Sequence, residues 1–244
     1  MSHTQGDLLY EGKAKRVFKV KEDENLLWLS FKDSMTAFNG EKKEELIGKS
    51  EINAQITTII FKYLHSKNIK THWVKSINQH EMICQTLKMI PLEVVLRNVL
   101  AGSTAKKFTF KEGTELEKPL VEFFYKDDAL NDPFISDEQA LMLKTVDSQE
   151  DLNQLKALGL KVNEALIPFF KEVGVQLVDF KLEFGKDRNG QICLGDEISP
   201  DSCRLWDIET GEKMDKDRFR RNLGNVKENY EEILRRIKNR WGES

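Results

Sequence analysis

The stretch Val178-Asp179-Phe180-Lys181-Leu182-Glu183-Phe184-Gly185 decides how the chain is read, because apolar and polar residues alternate through it to Phe184. Side chains two apart on a strand share a face, so Asp179, Lys181 and Glu183 project together while the apolar residues between them face a core. Beyond this strand, taken as Val175 to Phe184, the segment Lys186-Asp187-Arg188-Asn189-Gly190 carries the Asn-Gly signal of a hairpin turn. Gln191 to Ile198 then returns as a partner strand bearing Asp196 and Glu197, and one of these two carboxylates shares the face of Glu183 in either register. Acids converging on a cation-sized space suit Mg²⁺, which takes hard oxygen ligands and shares one or two carboxylates with phosphates and water. Glu183 and Asp196 are the candidate ligands. The same alternation also describes an amphipathic strand with a solvated charged face, and the spacing alone does not choose between the two.

Upstream, Leu8 to Val20 reads as two extended segments about Gly12, and Leu26 to Phe31 as the next strand of an antiparallel meander. Asp33 to Gly48 mixes glycine and charge and reads as a loop, after which Ile52, Ile56, Ile59, Ile60, Tyr63 and Leu64 recur at helical spacing, predicting a helix over 50–66. Strands are expected over 71–77 and 81–87. In Lys88-Met89-Ile90-Pro91 the proline is expected to interrupt β pairing, which puts a lobe boundary there: 1–88 as a β-rich lobe and 89–244 as a larger mixed one. Leu92 to Arg97 reads as a strand, 153–173 as a helix stopped by Gly174, and 216–241 as one or two charged helices. Glycine/serine linkers and internal repeats are absent, so the two lobes are expected to pack together.

Charge and cysteine usage narrow the function. A formal net charge of -3 argues against a surface built throughout to grip nucleic acid. The basic runs at 217–221 and 235–240 interleave with Glu228, Glu231 and Glu232, as in a salt-bridged helix face. No apolar run approaches the roughly 20 residues that span a bilayer, and Met1 to Gly6 lacks the layout of a signal peptide, so a cytoplasmic location is expected. Three cysteines without a C-x-x-C pair indicate reduced thiols.

Two further groups carry chemistry. Gly12-Lys13-Ala14-Lys15 sets two lysines on one strand face beside a glycine, placed to reach phosphates, although an exposed lysine-rich edge strand has the same pattern. Arg97-Asn98-Val99-Leu100-Ala101-Gly102-Ser103 puts an arginine after an apolar strand and then a small-residue turn that can offer hydroxyl and N–H groups to an anion. Arg204 likewise is expected directly after a strand. Walker and Rossmann glycine patterns are absent, so a nucleotide would have to be held in another way.

Taken in order, Gly12-Lys13-Ala14-Lys15, Arg97-Asn98 with Ala101-Gly102-Ser103, Asp179 to Gly185, Gly195 to Asp201, Arg204-Leu205-Trp206-Asp207 and Asp215 to Arg220 resemble the SAICAR synthetases over nearly the whole chain. The resemblance implies an α+β, two-lobed fold related in outline to ATP-grasp enzymes and kinases, with ATP in the cleft. It implies joining the carboxylate of carboxyaminoimidazole ribonucleotide (CAIR) to the amine of L-aspartate, with ATP and Mg²⁺, in a homodimer. By motif, Lys13 and Lys15 would contact ATP phosphates, Met89 the adenine, and Lys126 the nucleotide, with Glu183 and Asp196 on the metal. Arg97, Ser103, Asp179, Lys181, Arg204 and Arg220 would surround the ribonucleotide, and Lys13, Asp179 and Lys181 would serve the chemistry. Asp33 to Gly40 is similar to the family's mobile loop, but Ser50 in Gly48-Lys49-Ser50 stands where the family pattern has a glycine, which leaves that loop's role open. Two rivals stay in view: a small-molecule kinase or other ligase using the same cleft, and a nucleotide-binding regulator without catalysis.

Overall fold

The computed structural model describes residues 3–37 and 40–242. Its first sheet has the order β1-β2-β3-β7-β6, with every pair antiparallel. The strands are β1 (Gln5–Glu11), β2 (Lys15–Val20), β3 (Leu26–Phe31), β6 (Trp73–Ser76) and β7 (Glu81–Gln85). The alternation in β3 explains its two packing surfaces: Leu29 and Phe31 meet Met82, Cys84 and Ala54, while Trp28 meets Val20 and Ile83 on the other side.

The second sheet is the scaffold of the larger lobe. It runs β10-β9-β8-β11-β12, with β13 also pairing with β11. Here β8 is Lys88–Leu100, β9 Thr114–Tyr125, β10 Phe134–Ile135, β11 Val175–Lys186, β12 Ile192–Leu194 and β13 Cys203–Asp207. The long helix α4 (Gln149–Lys171) covers this sheet, burying Leu152, Leu155, Val162, Leu166 and Phe170. Its start is capped by the Ser148 hydroxyl, which accepts from the Asp151 N–H at 3.2 Å.

Helix α1 (Lys49–Ser66) precedes the second sheet in sequence yet belongs to its core. Ile56, Ile60 and Leu64 are buried with Tyr230, Ile233 and Ile237 of α6 (Val226–Trp241). The first turn of α1 takes a partner from outside, the Ser50 N–H donating to Asp33 Oδ1 at 2.9 Å, which satisfies one of the orphan donors of a helix start. The shorter helices are α2 (Gly102–Lys107), α3 (Asp137–Met142) and α5 (Asp217–Arg220).

Several expectations need correction. Pro91 does not interrupt β pairing: β8 runs through it. The ladder to β11 shifts register there, Glu183 facing Glu93 but Gly185 facing Met89, so the proline falls in an irregularity where no ladder donor is required of it. The segment expected as a loop contains the hairpin of β4 (Ser34–Ala37) and β5 (Lys42–Glu45), formed where Ser34 pairs with Glu45 and Ala37 with Lys42. Phe38 and Asn39 of that segment lie outside the described residues. The return strand expected over 191–198 ends at Leu194, because Asp196 takes the left-handed conformation (φ 54°) and turns the chain out of the ladder. Arg97 and Arg204 lie within β8 and β13 rather than after strands.

Candidate active site

Strand β11 is the axis of the site. It is paired along one edge with β8 and along the other with β12 and β13, so its polar face collects side chains from both neighbours. Buried Glu183 stands opposite half-buried Glu93, and two carboxylates side by side would repel. Lys181 resolves this by donating to Glu93 Oε1 at 2.7 Å and to Glu183 Oε1 at 3.0 Å. The other oxygen of Glu183 accepts from Lys126, which follows β9.

The first sheet brings its lysines over this face. Lys15 on β2 donates to Asp196 and to Glu197, the latter at 2.8 Å. Both adjacent carboxylates reach one ammonium, where alternation along an unbroken strand would allow one; the left-handed turn at Asp196 is the reason. Burial disfavours every charge here, but the charges favour one another more strongly. Against burial, Lys15, Lys181 and Lys126 hold the Asp196 carboxyl well below the usual carboxylate range. Against the same desolvation, Asp196 and Glu197 hold Lys15 above its ordinary value, and Glu183, Glu93 and Asp196 do the same for Lys181. Asp196, Lys15 and Lys181 are thus charged at neutral pH.

These residues line a cavity of about 410 Å³ between the two sheets. Lys13, Lys15, Met89, Lys126, Lys181, Glu183 and Asp196 all border it, so seven of the residues singled out from sequence converge on one space. Met89 is 43% exposed and packs toward Gly195, where a β-carbon would come within 3.3 Å of its methyl. Lys13, near the mouth, donates to Asp128 at 2.6 Å.

The remaining arginines form an adjoining network that shares β11 with the cavity. Arg97 is buried and donates to Glu122 at 2.5 Å and to Asp179 at 2.8 Å. Asp179 also accepts from Arg204 at 2.9 and 3.0 Å, and Asp217 bridges Arg204 (2.9 Å) to Arg220 (2.6 Å). Gly102 at the start of α2 has φ 61°, and a β-carbon there would lie 2.5 Å from an Arg204 nitrogen; only glycine fits this approach. Ser103 follows it, exposed in the first turn of α2. Arg97, Asp179 and Arg204 are therefore joined, Arg220 is linked through Asp217, and Ser103 sits beside them.

Glu93, Glu122, Glu197, Asp217 and His72 were not singled out individually from sequence. Glu93 could have been found only from the register of β8 on β11. His72 Nε2 lies 3.0 Å from the Asp196 carbonyl, and burial pushes its pKa down to about 4, so the ring is neutral and donates to that carbonyl. Among the described residues no group of three or more His, Cys, Asp and Glu side chains is arranged as a metal cage. A larger groove of about 690 Å³, between Asn25, Lys70 and Arg188, lies away from these charges.

Comparison with known proteins agrees with this geometry. The family model described as SAICAR synthetase matches residues 8–237. The phosphoribosylaminoimidazole-succinocarboxamide synthase of Campylobacter fetus is 54% identical, the match covering 95% of this chain and 98% of that one. That of Bacillus subtilis is 51% identical, covering 97% and 98%. Among solved structures, a SAICAR synthetase in complex with ADP superposes with a TM-score of 0.91 at 46% identity, covering 96% of this chain and 99% of the other. The synthase from Ehrlichia chaffeensis gives 0.92 at 42%, covering 95% and 98%. With its α+β, two-lobed architecture and the agreement over nearly its full length, the chain belongs to the SAICAR synthetase family.

Proposed function

We propose that this ATP-dependent ligase of purine biosynthesis joins the carboxylate of CAIR to the amine of L-aspartate, giving SAICAR, ADP and phosphate. The observation that carries the reading is the pairing of a lysine-and-carboxylate cavity with an arginine network along one strand, β11. One region suits a nucleotide triphosphate and the other a phosphorylated, carboxylated metabolite. A SAICAR synthetase of similar structure binds ADP, which supports nucleotide in the first region.

A carboxylate is a poor acyl donor because its leaving group would be oxide. Transfer of the γ-phosphoryl group of ATP to a CAIR carboxylate oxygen gives an acyl phosphate and ADP; attack by the aspartate amine then forms the amide and expels phosphate. Such a sequence needs no enzyme nucleophile. What the chain supplies is position and charge. Lys13 and Lys15 hold phosphates, Met89 lies against adenine, and Lys126 reaches the nucleotide. Arg204, Arg220 and Ser103 hold the ribonucleotide, with Arg97 and Asp179 fixing Arg204 from below, and Lys181 stands between the two substrates at the phosphoryl-transfer position.

Glu183 and Asp196 would hold Mg²⁺. Two carboxylates on one cavity, each paired with a lysine, offer the hard oxygen donors that such an ion would take. Bound there, Mg²⁺ would supply neutralisation of phosphate charge. Glu183→Gln and Asp196→Asn are expected to raise the Mg²⁺ concentration for half-maximal turnover by ten-fold or more; an unchanged Mg²⁺ requirement in both would remove the assignment.

Three coarser features belong to the same reading. We place the lobe division between residues 88 and 89, at the start of β8, just after the first sheet ends at Gln85. The enzyme is taken to be a homodimer, as the family resemblance implies, and to act in the cytoplasm, consistent with the absence among the described residues of any helix long and apolar enough to cross a membrane.

A further inference from the structure

Lys216 stands apart from the other lysines bordering the cavity. Lys13, Lys15, Lys126 and Lys181 each lie within 3.0 Å of a carboxylate. The Lys216 ammonium has neither a hydrogen bond nor an ion pair among the described residues, although it lines the same cavity and its side chain is only partly exposed. Its place is nonetheless fixed: the Lys216 N–H donates to the Pro200 carbonyl at 3.1 Å, and the next residue, Asp217, bridges Arg204 and Arg220.

The carboxylate that most favours its charge, Asp201, is already engaged. Asp201 accepts from Lys49 at 2.7 Å and from the Tyr230 hydroxyl at 2.8 Å. Arg220 and Lys49 add positive charge around Lys216, and burial together with these neighbours outweighs Asp201 and Glu197 to push its pKa below the ordinary lysine value. A half-buried ammonium without a protein partner is costly to keep, and an incoming anion would relieve the cost.

Which anion it serves follows from what the other cations do. In the reading above, the nucleotide phosphates are met by Lys13, Lys15 and Lys126, and the ribonucleotide by Arg204 and Arg220. The amino-acid substrate brings two carboxylates that none of those residues serves. Lys216 lies at the junction of the cavity and the arginine network, where the amine must approach an activated ribonucleotide carboxylate. Resting on that reading, we propose that Lys216 binds a side-chain or α-carboxylate of L-aspartate and so forms the amino-acid subsite of the enzyme.

Lys216→Met tests this through initial rates with Mg·ATP, CAIR and L-aspartate, each varied in turn, and ADP binding by calorimetry confirms a folded nucleotide site. The KM for L-aspartate should rise ten-fold or more while those for ATP and CAIR stay within about two-fold, and Lys216→Arg should recover a large part of the loss. An unchanged KM for L-aspartate, or equal rises for all three substrates, overturns the proposal. If Lys216→Met fails to bind ADP, Lys216→Gln, which keeps a polar end, is judged by the same criteria. Wild-type enzyme that makes no SAICAR would instead defeat the reading of the reaction, so the two failures are separable.

Discussion

Asp215 shows how a single residue underlies the arginine network without facing the cavity. Fully buried, its carboxylate accepts from the Leu205 N–H at 2.8 Å and the Asp217 N–H at 2.7 Å, fixing the backbone that carries Arg204 and Asp217. Burial, reinforced by the neighbouring Asp217 charge, raises its pKa to about 7. The folded protein therefore binds more protons than the unfolded chain between about pH 4 and pH 7. The contribution of Asp215 to stability is full below that window and is lost as pH rises through 7, a change of roughly 4 kcal/mol. Asp215→Asn cannot ionise, so its stability relative to wild type should improve by a few kcal/mol from pH 4 to pH 8 in urea titrations; a flat difference would contradict the assignment. At this scale the sequence was most readable where chemistry followed strand period. Asp179, Lys181 and Glu183 share a face because alternation is local, whereas the bonds of Asp179 to Arg97 and Arg204 depend on two strand registers that no local pattern encodes.

Elements were legible in proportion to the length of their pattern. Helix α1, expected over 50–66, spans Lys49–Ser66, because its apolar spacing from Ile52 to Leu64 persists for about three turns. The 33–48 segment reads as loop in sequence although it contains a hairpin of two four-residue strands whose pairing has no comparable apolar signature. At Pro91 local propensity pointed the wrong way, since the irregularity opposite Phe184 removes the need for a donor. That irregularity brings β8 close to Gly185, where a β-carbon would sit 2.8 Å from Leu87 Cβ and 3.0 Å from the Lys88 carbonyl oxygen. Gly185 does not have a positive φ, so the constraint is contact with backbone and a neighbouring strand. Gly185→Ala should destabilise the protein by about 1–3 kcal/mol, and it should raise the KM for ATP several-fold by displacing Leu87 and Met89 at the cavity wall. An unchanged urea midpoint with normal ATP use would show that β8 yields without cost.

For the whole molecule, function depends on holding two sheets in one relation. The first supplies Lys13 and Lys15, the second Lys181, Glu183, Arg97 and Arg204, and the ion pairs from Lys15 to Asp196 and Glu197 join the two sides across the cavity. Helix α1 strengthens the joint: Ala54 packs under the first sheet, while Ile56, Ile60 and Leu64 lie in the main core with α6. Sequence could place the charged groups in order along the chain, but not this crossing of α1, because an amphipathic helix does not say which sheet it covers. The most direct test of the whole account is ADP release by the purified protein with Mg·ATP and CAIR, with and without L-aspartate, together with mass spectrometry of the products. ADP release that requires L-aspartate and is matched mole for mole by SAICAR is the predicted result; ADP without SAICAR, or no turnover of these substrates, would contradict it.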